Sequence, residues 1–403
     1  MITPATTGAP VTAAASPDVG GALVDTAESL IDALAARADD AERTRRLPDD
    51  TIADLVDAGL IHMRLPTQLG GRGADILTET LVSAALARGC AATSWVRQIL
   101  SGGATAAAQL PAEGVREVFG GETPPLVCGV TTLTGTASPV DGGYLVNGSW
   151  GFASGCLHSQ WAMVGVRFAV DDDHSERVGV VCVPMQELAI KDTWHVAGLC
   201  ATGSNTIVAG DVFVPEHRVL TVPGDVVATL LRSPQVPRFA VALLGTLLGA
   251  ADGLLARVVK NAGQRGVSYF NYDLQRDSDA LTMRIGEAAM RIDTAWLHTR
   301  RAVDDLMGEA ERGPMSYAAS TRGQADAAYA ARLLREVAQD LASLSGASSF
   351  AQSNPMQRAW RDITVGSNHA MLNATASLEL HGRTLLERPS NSRFWGPDAA
   401  LLA

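Results

Sequence analysis

Four stretches of this chain carry side chains whose types and spacing suit chemistry better than packing alone. Trp360 to His369 reads Trp-Arg-Asp-Ile-Thr-Val-Gly-Ser-Asn-His, gathering Arg361, Asp362, Ser367, Asn368 and His369 among apolar Ile363, Val365, Met371 and Leu372. A core helix does not need so many hydrogen-bonding groups, and a solvent-facing one does not need Trp360. His369 has the ionisation range for general acid or base work. Trp150-Gly151-Phe152-Ala153-Ser154-Gly155 ends an expected strand. Its glycines allow close backbone approach to a ligand, Trp150 and Phe152 are suited to wall a flat ring, and Ser154 to donate a hydrogen bond into it. A β-turn beside a packed Trp explains the same residues. Thr202-Gly203-Ser204-Asn205 either binds an anion or caps a turn. Arg265 offers paired hydrogen bonds to phosphate oxygens, or else a surface salt bridge. Trp95, with Arg97 in the same apolar stretch, is either pocket wall or core.

Other chemistries are disfavoured. The chain has no Gly-rich dinucleotide fingerprint, Walker motif or H-E-x-x-H zinc motif. Cys90, Cys128, Cys156, Cys182 and Cys200 show no C-x-x-C spacing, which fits reduced thiols in a cytoplasmic protein, most of them buried as small hydrophobes. Cys156 and His158 leave a thiol nucleophile open, but the histidines form no metal-ligand spacing and no Ser-His-Asp set. A net charge of -11 argues against nucleic acid as a partner. No uninterrupted apolar run reaches spanning length, so no membrane association is expected.

The elements that must position these residues follow from periodicity. With 403 residues, 47% of them hydrophobic, the chain suits two or three packed units. Residues 1–21, rich in Ala, Thr, Pro and Gly without a basic start, read as a loose tail. Residues 22–123 read as a helical domain, with an interruption at Gly102 and Gly103. Residues 124–220 hold short β-branched runs, with Asp141-Gly142-Gly143 as a reversal, and read as a small antiparallel barrel or sandwich. Residues 221–403 read as a helical bundle with Trp360 opening its last substantial helix; Gly245, Gly249 and Gly253 there make a face for close approach. The fold class is mainly α around a central β-domain, and the long Ala-rich helices suit subunit contacts.

Taken in order, these pieces resemble the acyl-CoA dehydrogenase superfamily, and within it the reduced-flavin-dependent monooxygenases that form the oxygenase component of two-component systems. The resemblance spans roughly residues 25 to 395. It rests on Ala92-Thr93-Ser94-Trp95-Val96, Asp141 to Tyr144, Gly148 to Gly155, Gly198 to Asn205, Asp211-Val212-Phe213-Val214-Pro215, and Asn354-Pro355 through His369. It implies a helical domain, a β-barrel and a four-helix bundle assembled as a homotetramer. It implies reduced FMN first and FADH2 second, supplied by a separate NAD(P)H-dependent flavin reductase, with O2 as co-substrate. Oxygen adds to the flavin to give a C4a-(hydro)peroxide, which hydroxylates an aromatic or polyketide-like small molecule. By this resemblance Trp150 and Ser154 lie at the isoalloxazine with Ser154 near N5, Ser204 joins the flavin site, Arg265 meets the phosphate, His369 supports peroxide formation or orients substrate, and Trp95 lines the substrate side.

Three other readings stay open: N-oxygenation of an amino sugar or other amine, an FAD-dependent acyl-CoA dehydrogenase, and an inactive structural member. The dehydrogenase needs a carboxylate base, whereas Gly366 to Ala370 has none and Glu379 comes later in a different wording. The chain also departs from the family pattern. Cys200-Ala201 stand where Arg is common, and Ser101, Gly102 and Gly103 stand where a polar phenolate anchor is common; the two glycines leave room for a larger substrate.

Overall fold

In the computed structural model, which describes residues 17–169, 177–221, 235–308, 312–313 and 315–392, helices enclose a central sheet in chain order. The first group is α1 (Pro17–Ser29), α2 (Ile31–Thr44), α3 (Asp49–Asp57), α4 (Ile76–Gly89), α5 (Ala91–Ala107) and α6 (Ala112–Val118). Helix α1 starts inside the stretch expected as a tail; residues 1–16 lie outside the described residues. Asp75 caps α4 by accepting from Thr78 N–H at 2.7 Å. Helix α5 runs unbroken through Gly102 and Gly103. A Cβ on Gly103 would lie 2.0 Å from Val127 O, so this glycine lets α5 press against the sheet instead of opening space.

The sheet holds β1 (Val127–Val140), β2 (Gly143–Trp150), β3 (Trp161–Phe168), β4 (Arg177–Pro184), β5 (Ala189–Lys191), β6 (Thr206–Pro215) and β7 (Val219–Thr221), in the order β5-β6-β2-β1-β3-β4-β7. Five of its neighbour pairs are antiparallel, and β1 with β3 is parallel. The expectation of a wholly antiparallel domain is therefore corrected at one pair. After the β1–β2 hairpin, residues 151–160 cross back with no helix and set β3 beside the free side of β1, pointing the same way. That crossover carries Ser154.

The last group is α7 (Gln235–Ala262), α8 (Asp279–Met307), α9 (Tyr317–Leu344), α10 (Pro355–Gly366) and α11 (Ala374–Leu385). Asn354 caps α10 by accepting from Met356 N–H, so the helix begins before Trp360, and α11 follows it. The glycine face of α7 meets α4: a Cβ on Gly245 would lie 2.5 Å from Thr80 O, and one on Gly249 1.9 Å from Ala84 O. Residues Pro237–Ala262, although interrupted by Asp252 and Arg257, are long and apolar enough overall to cross a membrane, but most of that stretch is buried inside the protein against α4, α8 and α9. It is the core helix. Leu243, Leu244, Leu247 and Leu254 sit on it, joined to Leu334 and Leu341 of α9 in one hydrophobic cluster that continues into the sheet.

Candidate active site

The crossover after β2 and the loop before β6 form one wall. Trp150 does not belong to its open face. Its indole is fully buried and donates to Gly165 O at 2.8 Å, and Gly135 and Gly148 make room for the ring. The placement of Trp150 at a ligand ring is thereby corrected: alternation along β2 turns this side chain into the core. Phe152, at φ 63°, takes the open position instead, with its ring 76% exposed and 5.8 Å from that of Trp194 in an edge-on pair. Backbone bonds from Ala153 N to Asn205 O (3.1 Å) and from Gly155 N to Thr202 O (3.0 Å) bind the two loops together.

Between these loops three buried hydroxyls line up. Ser154 Oγ lies 2.7 Å from Ser204 Oγ, Ser204 Oγ 2.6 Å from Thr202 Oγ1, and Thr202 Oγ1 donates to Leu199 O at 2.8 Å. Asn205 accepts from Thr193 N and Trp194 N at 3.0 and 3.1 Å, so within this cluster it has the turn-capping role. Cys156 is buried beside Gly203 O, which pushes its thiol up to about 11, and burial pushes His158 down to about 4. A thiolate pair is not available there.

Helix α10 holds this wall from behind. Gly198 admits the helix backbone, since a Cβ there would lie 2.3 Å from Arg361 O. Arg361 donates to Ala197 O, to Glu42 and to Gln357, and buried Asp362 accepts from Leu199 N at 2.5 Å. Burial drives the Asp362 carboxyl up to about 7, against the pull of the Leu199 N–H. These two side chains anchor a loop.

The second wall is aromatic. His369, just beyond α10, accepts at Nδ1 from Met371 N (3.2 Å), which leaves the ring proton of the neutral imidazole on Nε2. Burial pushes its pKa down to about 4, so the ring is neutral near pH 7. Its centroid lies 5.7 Å from that of Trp95 on α5 and 5.8 Å from that of Phe239 on α7. Trp95 is buried, and a Cβ on Gly366 would lie 3.2 Å from its ring and 3.4 Å from Leu199 Cδ1, so the two walls meet at Gly366. A Cβ on Gly102, two turns along α5 from Trp95, would meet open space. Phe239 escaped the sequence reading; its one signal was an aromatic side chain at the start of a glycine-faced helix.

Arg265 stands apart from both walls, with no hydrogen bond to either among the described residues. It lies just beyond α7 and donates to Ser348 Oγ at 3.3 Å, close to Gly346 with its φ of 74°. Glu379 is on α11 and pairs with Arg383 at 2.8 Å. An outward aromatic ring, a hydroxyl row beside it and a neutral donor imidazole among aromatics together suit a flat heterocycle with polar edges, which is what a flavin presents.

Comparison with known proteins points the same way. The family model for the acyl-CoA dehydrogenase N-terminal domain matches residues 21–114, and that for the C-terminal domain matches residues 242–374. The oxygenase subunit HsaA of a flavin-dependent monooxygenase from Rhodococcus jostii is 31% identical, over 88% of this chain and 96% of that protein. This chain belongs to the flavin-dependent monooxygenases. It is the oxygenase component of a two-component system, built on the acyl-CoA dehydrogenase fold and using reduced flavin with O2. The oxygenase component of an FADH2-dependent resorcinol hydroxylase from a Rhizobium species is 31% identical over 90% of this chain and 94% of that one. Among solved structures, XiaF from a Streptomyces species, in complex with FADH2 and glycerol, superposes with a TM-score of 0.86 at 32% identity, covering 93% and 97% of the two chains. The monooxygenase thus has no need of a dinucleotide fingerprint of its own, in keeping with a separate reductase.

Proposed function

We propose that this monooxygenase hydroxylates an aromatic small molecule held between His369, Trp95 and Phe239, with the flavin ring against Phe152 and Ser154. The observation that carries this reading is the neutral His369, whose Nδ1 is occupied by Met371 N and whose Nε2–H is left to donate among aromatic rings. Bound reduced flavin would supply the two electrons that activate O2, and O2 supplies the oxygen atom transferred to substrate. The chain's residues do the rest. Ser154 takes the N5 edge, Phe152 covers the ring, and Ser204 supports Ser154. Trp95 and Phe239 exclude water and set the plane of the substrate, and Nε2–H of His369 donates to the oxygen of substrate or oxidant. Arg265 and Ser348 hold the flavin phosphate.

The related resorcinol hydroxylase is FADH2-dependent and XiaF binds FADH2, which supports FADH2 ahead of the FMNH2 expected from sequence. The open space at Gly102 suits a substrate larger than a single phenol. The described parts of three units, 22–123, 124–220 and 221–403, support a site enclosed between them, with α1 beginning at Pro17 inside the stretch read as a tail. Met283, Met290 and Leu297 make an exposed apolar stripe along α8, and Leu385 at the end of α11 and Leu386 just beyond it are exposed as well; this supports self-association, with the tetramer of the family as the assembly. The scattered free cysteines and the acidic balance support a cytoplasmic enzyme that binds neither nucleic acid nor membrane.

The test is rapid mixing with oxygen of protein loaded anaerobically with FADH2, and separately with FMNH2. A transient absorbance unlike either free flavin, outlasting free-flavin oxidation, together with 18O from O2 in hydroxylated resorcinol or indole, is the expected result. Direct reoxidation without a transient, with bound oxidised FAD reduced by acyl-CoA thioesters, would replace this reading with dehydrogenation.

A further inference from the structure

The hydroxyls of Ser154, Ser204 and Thr202 form a row with a single direction, and we propose that this direction makes the site select reduced over oxidised flavin. The inference rests on the reading that Ser154 faces flavin N5. A carbonyl oxygen only accepts, so the Thr202 hydroxyl, 2.8 Å from Leu199 O, must place its proton there. A hydroxyl has one proton to give. The 2.6 Å contact between Thr202 and Ser204 is then a hydrogen bond only if Ser204 donates to Thr202. The same step assigns the 2.7 Å contact between Ser154 and Ser204 to donation by Ser154. Ser154 Oγ therefore offers the site lone pairs and no proton, the reverse of the donor role its sequence context suggests.

The terminus that sets this direction is firmly held. Leu199 N is bound by buried Asp362, and Leu199 O also accepts from Trp194 Nε1 at 3.0 Å. All three hydroxyl residues are buried, so the row has little water with which to exchange partners. Reduced flavin carries a proton on N5, whereas oxidised flavin carries a lone pair there. An acceptor-only Ser154 bonds the first and sets two lone pairs against each other with the second, in surroundings where an unmet polar group is costly. Ser204 and Thr202 act through Ser154 and are positioning residues.

The experiment measures dissociation constants of FAD and, anaerobically, FADH2 for the full chain and for Thr202→Val, Ser204→Ala and Ser154→Ala. Wild type is expected to prefer FADH2. Thr202→Val keeps the shape but removes the proton that fixes the row, and Ser204→Ala frees the Ser154 hydroxyl to turn. Each is expected to tighten FAD relative to FADH2 by roughly tenfold, which lowers the two-electron potential of the bound flavin by roughly 30 mV. Ser154→Ala is expected to weaken FADH2 and spare FAD. A Thr202→Val and a Ser204→Ala protein that bind both redox states equally less well, with an unchanged ratio, would show packing alone and overturn the proposal. If Ser154→Ala shifts the ratio while those two do not, the directed row fails. If Ser154→Ala shifts nothing, the placement of Ser154 beside N5 fails, and the proposal with it.

Discussion

The two walls of the site are built on opposite principles. The wall from the sheet loops is polar and fully wired: three hydroxyls in a row, two backbone ties and an asparagine cap leave few free partners. The wall from the helices is aromatic and sparsely bonded, with a neutral His369 between Trp95 and Phe239, and open space beside Gly102. A wired wall tolerates one occupant with fixed edges, which suits a cofactor. An aromatic wall fixes a plane and little else, so it can be retuned for different substrates by exchanging one ring or one glycine.

The sharpest break between core and site should come from two neighbours. Trp150→Ala removes a fully buried indole and its bond to Gly165 O, and is expected to cost about 3–5 kcal/mol in urea unfolding. If flavin affinity falls instead while stability holds, Trp150 belongs to the ligand wall after all. The next largest effect belongs to the aromatic wall. His369→Ala is expected to leave flavin binding intact while product per reduced flavin falls on the order of 10²-fold; unchanged yield would remove His369 from the chemistry.

Phe152→Ala completes the contrast with Trp150. Its ring is exposed, so stability should move by no more than about 0.5 kcal/mol. Affinity for reduced flavin should weaken roughly tenfold, read by anaerobic titration. Equal affinity would place the flavin elsewhere on the sheet.

The same contrast explains what was legible in the sequence. Helices and main strands announce themselves through period, and Asp75 marks a helix start by its chemistry; Asn354-Pro355 carries the same signal, although the start expected from sequence for that helix is Trp360. The three-residue edge strands β5 and β7 have no room for alternation, so only their partners define them. The parallel β1–β3 pair is invisible because the link at 151–160 is too short to look like a crossover unit. Ser154, Ser204 and His369 stood out as polar groups in apolar surroundings. Trp150 and Phe152 could not be ranked, since two aromatics two residues apart share one face in an ideal strand; the break at Phe152, with its positive φ, sends them opposite ways. Phe239 owes its place to long-range packing of α7 against α10, which local pattern does not encode.

The smallest effect concerns the strut behind the wired wall, and its sign is fixed by ionisation. An Asp carboxyl ionises near pH 4 when unfolded, whereas buried Asp362 holds its proton up to about 7. Between these values the folded chain binds the extra proton, so Asp362 contributes stability that is lost as pH rises through that window. His369 and His158, pushed down to about 4 from an ordinary 6.5, work the other way: there the unfolded chain binds more protons, and stability grows as pH rises from 4 to 6.5. Asp362→Asn keeps an acceptor for Leu199 N and removes only the first trend. Its melting temperature relative to wild type should therefore climb steadily between pH 4.5 and 7.5. A constant difference across that range would mean that Asp362 is already ionised in the folded protein, held as an anion by Leu199 N–H with Arg358 and Arg361 nearby, and the anchor of the wired wall would then be a buried charge instead of a shared proton.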